Sequence, residues 1–295
     1  MTQRVCWWCD ALACAVLAPA IASADATISG PGAAAATGLQ YGVAQTTAPA
    51  PAPARAEGGS MYRGTSDFYN VREAFANQRQ GEWEFEFGGA WRTDDSESDD
   101  DFALFGNIKY GITDRFYVEL SALPINLGDG GDGGAGDIGL LFFYQCMDET
   151  DWLPAFGSWI SGRFPSGDGS SGVDGTLGGA FTKTLMPRLR GHLQGTITTA
   201  NGDRGPDEYD RRDFQWGAGV GIDYEIDEKT YAILNYTNTV SDEVGNGNLN
   251  VLEVGVTHNI VPGQRLRAAV DIGLDDNGET PNFVAKFLWA IDWGT

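Results

Sequence analysis

The chain has 295 residues, with 19 Lys+Arg against 41 Asp+Glu and a formal charge of −22, a surface that repels polyanions and excludes a nucleic-acid binder. Only 42% of residues are apolar, and no run approaches the roughly 18–20 apolar residues that a spanning helix needs, which excludes a helical membrane protein but not a β one. With 41 Gly and 12% aromatics, the composition favours strands, turns and bulges over helices.

Residues 1–24 carry Arg4 near the start, an apolar stretch from Ala11 to Ile21 and the small triplet Ala22-Ser23-Ala24. This is the pattern of a secretory signal peptide cleaved after Ala24. A fraying helix and a lipoprotein modified at Cys14 are the alternatives. Cys6, Cys9 and Cys14 all lie in this segment, so the exported chain keeps only Cys146 and has no internal disulfide. Residues 25–60 are Ala, Gly, Thr and Pro with few large apolar side chains, and are expected to form a disordered tether. Residues 61–80 regain Tyr62, Phe68, Tyr69, Val71 and Phe75. Ser66 is placed to cap a short helix there, with Phe68, Val71 and Phe75 along one face.

From residue 81 onward the pattern becomes strict alternation. Trp83, Phe85, Phe87 and Trp91 share one parity, while Glu82, Glu84 and Glu86 hold the other, as in a strand with one apolar and one polar face. The same signal recurs in Phe102 to Tyr110, Phe116 to Ala122, Ile138 to Tyr144, Leu193 to Ile197, Phe214 to Tyr224, Ala232 to Tyr236, Leu252 to Ile260, Leu266 to Ile272 and Phe283 to Trp293. Near 155–164 and 175–184 it is weaker and the inward parity is unclear. The sum is about twelve strands of about 10 residues. Short connections (Gly111–Arg115, Cys146–Thr150, Leu185–Arg188, Ile226–Lys229, Val261–Arg265) alternate with long ones (93–101, 124–136, 165–174, 200–213, 240–250, 275–281). That alternation predicts an all-β fold, an antiparallel up-and-down transmembrane β-barrel over residues 81–295.

A soluble β-sandwich would also alternate with period two. Three features favour the membrane barrel. Aromatics sit at the ends of the apolar faces (Trp83 and Trp91, Phe214 and Tyr224, Trp289 and Trp293), like interfacial girdles. The long connections carry the acids, most densely at 93–101. The final strand ends in aromatics near the C-terminus, although Gly294 and Thr295 follow Trp293.

Several stretches resemble the outer-membrane family named for the meta-pathway of phenol degradation, a transporter-like barrel group. They are Gln80-Gly81-Glu82-Trp83-Glu84-Phe85-Glu86, Gly136-Asp137-Ile138-Gly139, Pro154, Arg163-Phe164-Pro165-Ser166-Gly167-Asp168 and Arg190-Gly191-His192-Leu193-Gln194. Ser166 stands where the family more usually has Thr, and Gln194 where it has Asn. The resemblance spans 80–293 and implies an outer-membrane barrel with an uptake role, without implying phenol as the solute.

No nucleophile elbow, paired catalytic carboxylates or metal-ligand cluster emerges, so an enzyme is not expected and no cofactor is implied. The loop Gly128 to Asp137 resembles one copy of a calcium-binding glycine-aspartate repeat, and such sites need stacked copies. Asp275 to Glu279 and the acids from Asp94 to Asp101 read as solvated loops, with divalent binding as the sharper alternative. His258 shares an outward parity and reads as an interfacial ring. The informative residues have inward parity: Glu82, Glu84, Glu86, Lys109, Glu119, His192, Glu253, Arg267, Asp271 and Lys286. In a closed barrel they line a water-filled path or pair into a plug. Glu253, Arg267, Asp271 and Lys286 fall on adjacent strands. Gln215, Gly217, Gly219 and Gly221 leave space beside them, suggesting a narrow polar passage.

The reading is an outer-membrane passive channel or transporter for small solutes, hydrophobic or aromatic ones among them. Its partners would be outer-membrane lipid, the solute and the barrel-assembly machinery. The alternatives are a non-conducting structural or adhesion barrel and a secreted soluble β-protein that binds a ligand.

Overall fold

The computed structural model describes residues 68–93, 101–126, 134–167, 172–201, 212–242, 244–275, 280 and 282–294. The expected signal peptide, the tether and the acidic stretch at 94–100 lie outside them, as does most of the glycine-aspartate loop. The barrel strands are β1 (Trp83–Thr93), β2 (Asp101–Thr113), β3 (Phe116–Asn126), β4 (Ile138–Met147), β5 (Ala155–Phe164) and β6 (Asp174–Met186). They continue with β7 (Leu189–Thr199), β8 (Phe214–Asp227), β9 (Thr230–Thr239), β10 (Leu249–Val261), β11 (Gln264–Gly273) and β12 (Phe283–Trp293). Each pairs antiparallel with its neighbours in the chain, and β1 pairs with β12 from Trp83↔Trp293 to Thr93↔Phe283, closing the sheet and removing its edges. A two-residue segment, Gly134–Ala135, pairs with Ile125 and Asn126 beside this ring.

Four connections at one end are tight: Asp114-Arg115, Pro187-Arg188, Glu228-Lys229 and Pro262-Gly263. Gly263 takes a positive φ of 79°, which its lack of a Cβ permits without strain. The fifth, 148–154, is longer than expected. Thr150 closes it, accepting the Leu153 N–H on its hydroxyl at 3.0 Å.

Alternation sorts the side chains as the pattern predicts. Val220, Ile222, Leu234, Val254, Leu266 and Phe287 are exposed on the outside, while Asp223, Asn235, Glu253, Arg265 and Arg267 are buried within. Trp83 stacks on Trp293 across the closure seam, with centroids 6.4 Å apart and rings 7° from parallel, and Tyr110 continues the band. His258 faces outward, its Nδ1 3.0 Å from Thr230 Oγ1.

β5 and β6 resolve the parity that the sequence blurs. The buried positions include Ala155, Gly157 and Trp159 on β5 and Asp174, Gly178, Ala180 and Thr182 on β6. An inward tryptophan opposite small inward residues erases the polar-against-apolar contrast.

The helix expected over Phe68, Val71 and Phe75 is absent; no described residue is helical. The segment Phe68–Gln80 instead runs as bends and turns, and most of it is buried inside the barrel. There, acceptors on the barrel wall satisfy main-chain groups that a helix would otherwise pair internally.

Candidate functional site

The lumen is built from paired registers. Glu84, Lys109 and Glu119 stand opposite one another across β1, β2 and β3. Lys109 Nζ lies 3.1 Å from Glu84 Oε1, 2.8 Å from Glu86 Oε2 and 4.0 Å from Glu119 Oε2. Arg267 Nη1 donates to Glu86 Oε1 at 2.5 Å, and Arg265 bridges Glu84 and Asp292. All these side chains are almost wholly removed from solvent, where an uncompensated charge would be costly.

A second group joins Lys286 to Glu253 Oε1 at 2.6 Å and to Asp271 Oδ2 at 3.2 Å, with Asn235 donating to Glu253 at 2.6 Å. The single four-residue cluster expected from the sequence is therefore two. Glu253, Asp271 and Lys286 stay together, whereas Arg267 turns to Glu86 on β1. Sequence adjacency of strands could not reveal that choice.

A third group holds Arg190 and Asp223, opposed in register across β7 and β8, with His192 Nε2 3.3 Å from Asp223 Oδ2. His192 Nδ1 is 3.0 Å from Thr182 Oγ1. Hydroxyl, imidazole and carboxylate thus form a row, but Thr182 is fully buried and accepts the Ala74 N–H at 2.9 Å. The row secures the internal segment.

That segment is fastened from all sides. Asn70 N–H donates to Glu253 at 2.9 Å, Arg72 N–H to Gln194 at 2.7 Å, Ala74 N–H to Thr182 and Ala76 N–H to Gln145 at 3.1 Å. Donors at every second residue from Asn70 to Ala76 are each met by a side chain of the wall. Glu73 pairs with Arg190 at 2.9 Å, and Lys286 donates to Asn70 Oδ1 at 2.9 Å. Tyr69 reaches Thr257 at 2.8 Å, and burial pushes its phenol well above its ordinary pKa. Near the tight turns, Gln80 N–H donates to Asp114 and Arg79 N–H to Glu82.

The expected passage beside β8 is occupied. A Cβ on Gly219 would come within 2.7 Å of Val71, and one on Gly221 would strike Asn235. Glycines there make room for the segment and a neighbouring amide.

Of the residues anticipated for the lumen, Glu82, Glu84, Glu86, Lys109, Glu119, His192, Glu253, Arg267 and Asp271 are buried inside, and Lys286 nearly so. The sequence reading missed Tyr117, Phe143 and Trp159, lumen-facing aromatics on β3, β4 and β5. It also missed Arg190, Asp223 and Arg265. Parity with Glu119, His192 and Gly221 on their own strands could have found Tyr117, Arg190 and Asp223; the apolar outward neighbours drew attention away.

No family model matches the chain, and no curated protein matches it in sequence. Among solved structures, it is similar to an outer-membrane channel from Pseudomonas putida F1 at 16% identity and a TM-score of 0.58, covering 75% of this chain and 98% of that one. It is also similar to the NanC porin at 10% identity and a TM-score of 0.52, covering 70% of this chain and 98% of that one. The fold is that of an outer-membrane β-barrel.

Proposed function

We propose that the protein is an outer-membrane passive channel for small solutes, closed over part of its length by its own segment Phe68–Gln80. The observation that carries this reading is the inversion of the barrel: aliphatic and aromatic side chains outside, paired charges inside. Such a surface is stable against lipid and wasteful against water. The two similar barrels are named a channel and a porin, which agrees. In this reading residues 1–24 direct export, the assembly machinery inserts the barrel, and the tight turns face the periplasm. The ten inward residues from Glu82 to Lys286 line the path once the segment shifts. Its hold is compatible with release, because water can replace each main-chain hydrogen bond at a modest net cost of about 0.5–1.5 kcal/mol. Hydrophobic or aromatic solutes are among the small solutes proposed.

The test is reconstitution of residues 25–295 in planar bilayers. Discrete conductance steps, together with heat-modifiable migration and recovery in outer membranes, are expected. A correctly folded barrel that never conducts would favour the structural reading, and recovery as soluble protein would reject the membrane barrel.

A further inference from the structure

Three lumen aromatics form a row along the wall. Tyr117 and Phe143 have centroids 5.0 Å apart at 19°, and Phe143 and Trp159 are 6.4 Å apart at 16°. They come from three consecutive strands, and the wall is shaped to seat them. A Cβ on Gly157 would lie 2.5 Å from Phe143, and one on Gly178 would collide with the Trp159 indole. Over this row lies the guanidinium of Arg72, its carbon 4.9 Å from the Trp159 centroid and 5.7 Å from that of Phe143. Arg72 Nη1 also donates to the Tyr117 hydroxyl at 2.8 Å.

We propose that the Tyr117, Phe143 and Trp159 row is a binding subsite for small organic cations bearing a guanidinium or similar planar cationic group, with Arg72 as the internal ligand that fills it. The rings belong to the barrel wall and pack on one another, and Ala74, Phe75 and Ala76 of the segment pack against the same cluster beside Arg72. Ring faces attract a cation, most strongly once it is desolvated, and the Tyr117 oxygen adds a directed acceptor that suits an N–H donor. Arg72 is carried by a segment held through main-chain hydrogen bonds and the Glu73–Arg190 ion pair, and a solute cation competes with its guanidinium for the ring faces. The proposal rests on the channel reading only for how a solute reaches the site.

The test uses the full mature chain in detergent, with methylguanidinium as the probe in equilibrium dialysis and urea as the uncharged planar control. Arg72→Ala is expected to bind one equivalent at least tenfold more tightly than the wild type, with urea binding at least tenfold more weakly. Adding Trp159→Leu should weaken the probe at least tenfold. Tyr117→Phe on the Arg72→Ala background, a milder change, should weaken it severalfold while preserving heat-modifiable migration. Equal binding by wild type and Arg72→Ala, or binding indifferent to both aromatic changes, would overturn the subsite. In bilayers, the Arg72→Ala channel should be blocked by methylguanidinium over the concentration range of binding. Saturable binding without any current would keep the subsite and remove the channel reading.

Discussion

Gln194 on β7 holds the main chain of the internal segment from both sides of one position: its side-chain oxygen accepts the N–H of Arg72 at 2.7 Å and its nitrogen donates to the carbonyl of Asn70 at 3.1 Å. A single amide thereby satisfies a donor and an acceptor that would otherwise be stranded inside the barrel. Gln194→Ala leaves both unpaired at a cost of about 1–3 kcal/mol, most of it borne by local opening. Hydrogen exchange across residues 68–80 should accelerate about tenfold or more, since 1.4 kcal/mol is a factor of about ten. Exchange unchanged from wild type would mean that the segment is held elsewhere.

The outer surface supplies the sharpest distinction between lipid and water as the solvent. Leu234 lies mid-strand on β9 and is exposed. Leu234→Arg should destabilise the barrel in lipid vesicles by about 2–4 kcal/mol, as measured by denaturant unfolding. An exposed leucine on a water-facing sheet would tolerate arginine with little change, so a neutral result counts against the membrane barrel.

The buried charges differ from surface pairs by the same logic. Lys109 touches three carboxylates out of solvent, and Lys109→Met removes the cation they share, leaving Glu84 to Arg265 and Glu86 to Arg267, at a cost of about 3–5 kcal/mol. Arg115 and Asp148 form an ion pair near the tight turns with both side chains substantially exposed, and Arg115→Met should cost less than about 1 kcal/mol. Comparable losses from the two substitutions would show that water reaches Lys109 freely.

Most of the barrel was readable because strand alternation is a local signal. Trp83, Phe85 and Phe87 against Glu84 and Glu86 fix a face without knowledge of any partner. The placement of Glu253 beside Lys286 was also readable, since both share inward parity on nearby strands. Three things were not. Arg267 meets Glu86 only because β12 joins β1, and its choice among several inward acids is made by side-chain reach. Phe68, Val71 and Phe75 are spaced as on a helix, yet the neighbouring main-chain N–H groups of Arg72, Ala74 and Ala76 find partners in Gln194, Thr182 and Gln145, a tertiary override that no local pattern encodes. Trp159 broke the alternation of β5 by facing inward, and so concealed the aromatic row.

Topology is open to labelling. In a Cys146→Ser background, a cysteine replacing Asn246, in the connection between β9 and β10, should react with an impermeant thiol reagent on intact cells. One replacing Asp227, beside the tight turn after β8, should react only after the outer membrane is permeabilised. Equal reaction at both on intact cells would refute the orientation.

The central claim is that Phe68–Gln80 closes a conducting barrel and must move for current to flow. Val71 lies against Gly219 on β8, close enough that Val71→Cys with Gly219→Cys places two thiols within disulfide reach. In a Cys146→Ser background, this double variant, reconstituted in a planar bilayer, should show its current suppressed at least tenfold when oxidised and restored by a thiol reductant. Equal currents before and after reduction, with the disulfide verified by mass, would contradict the account.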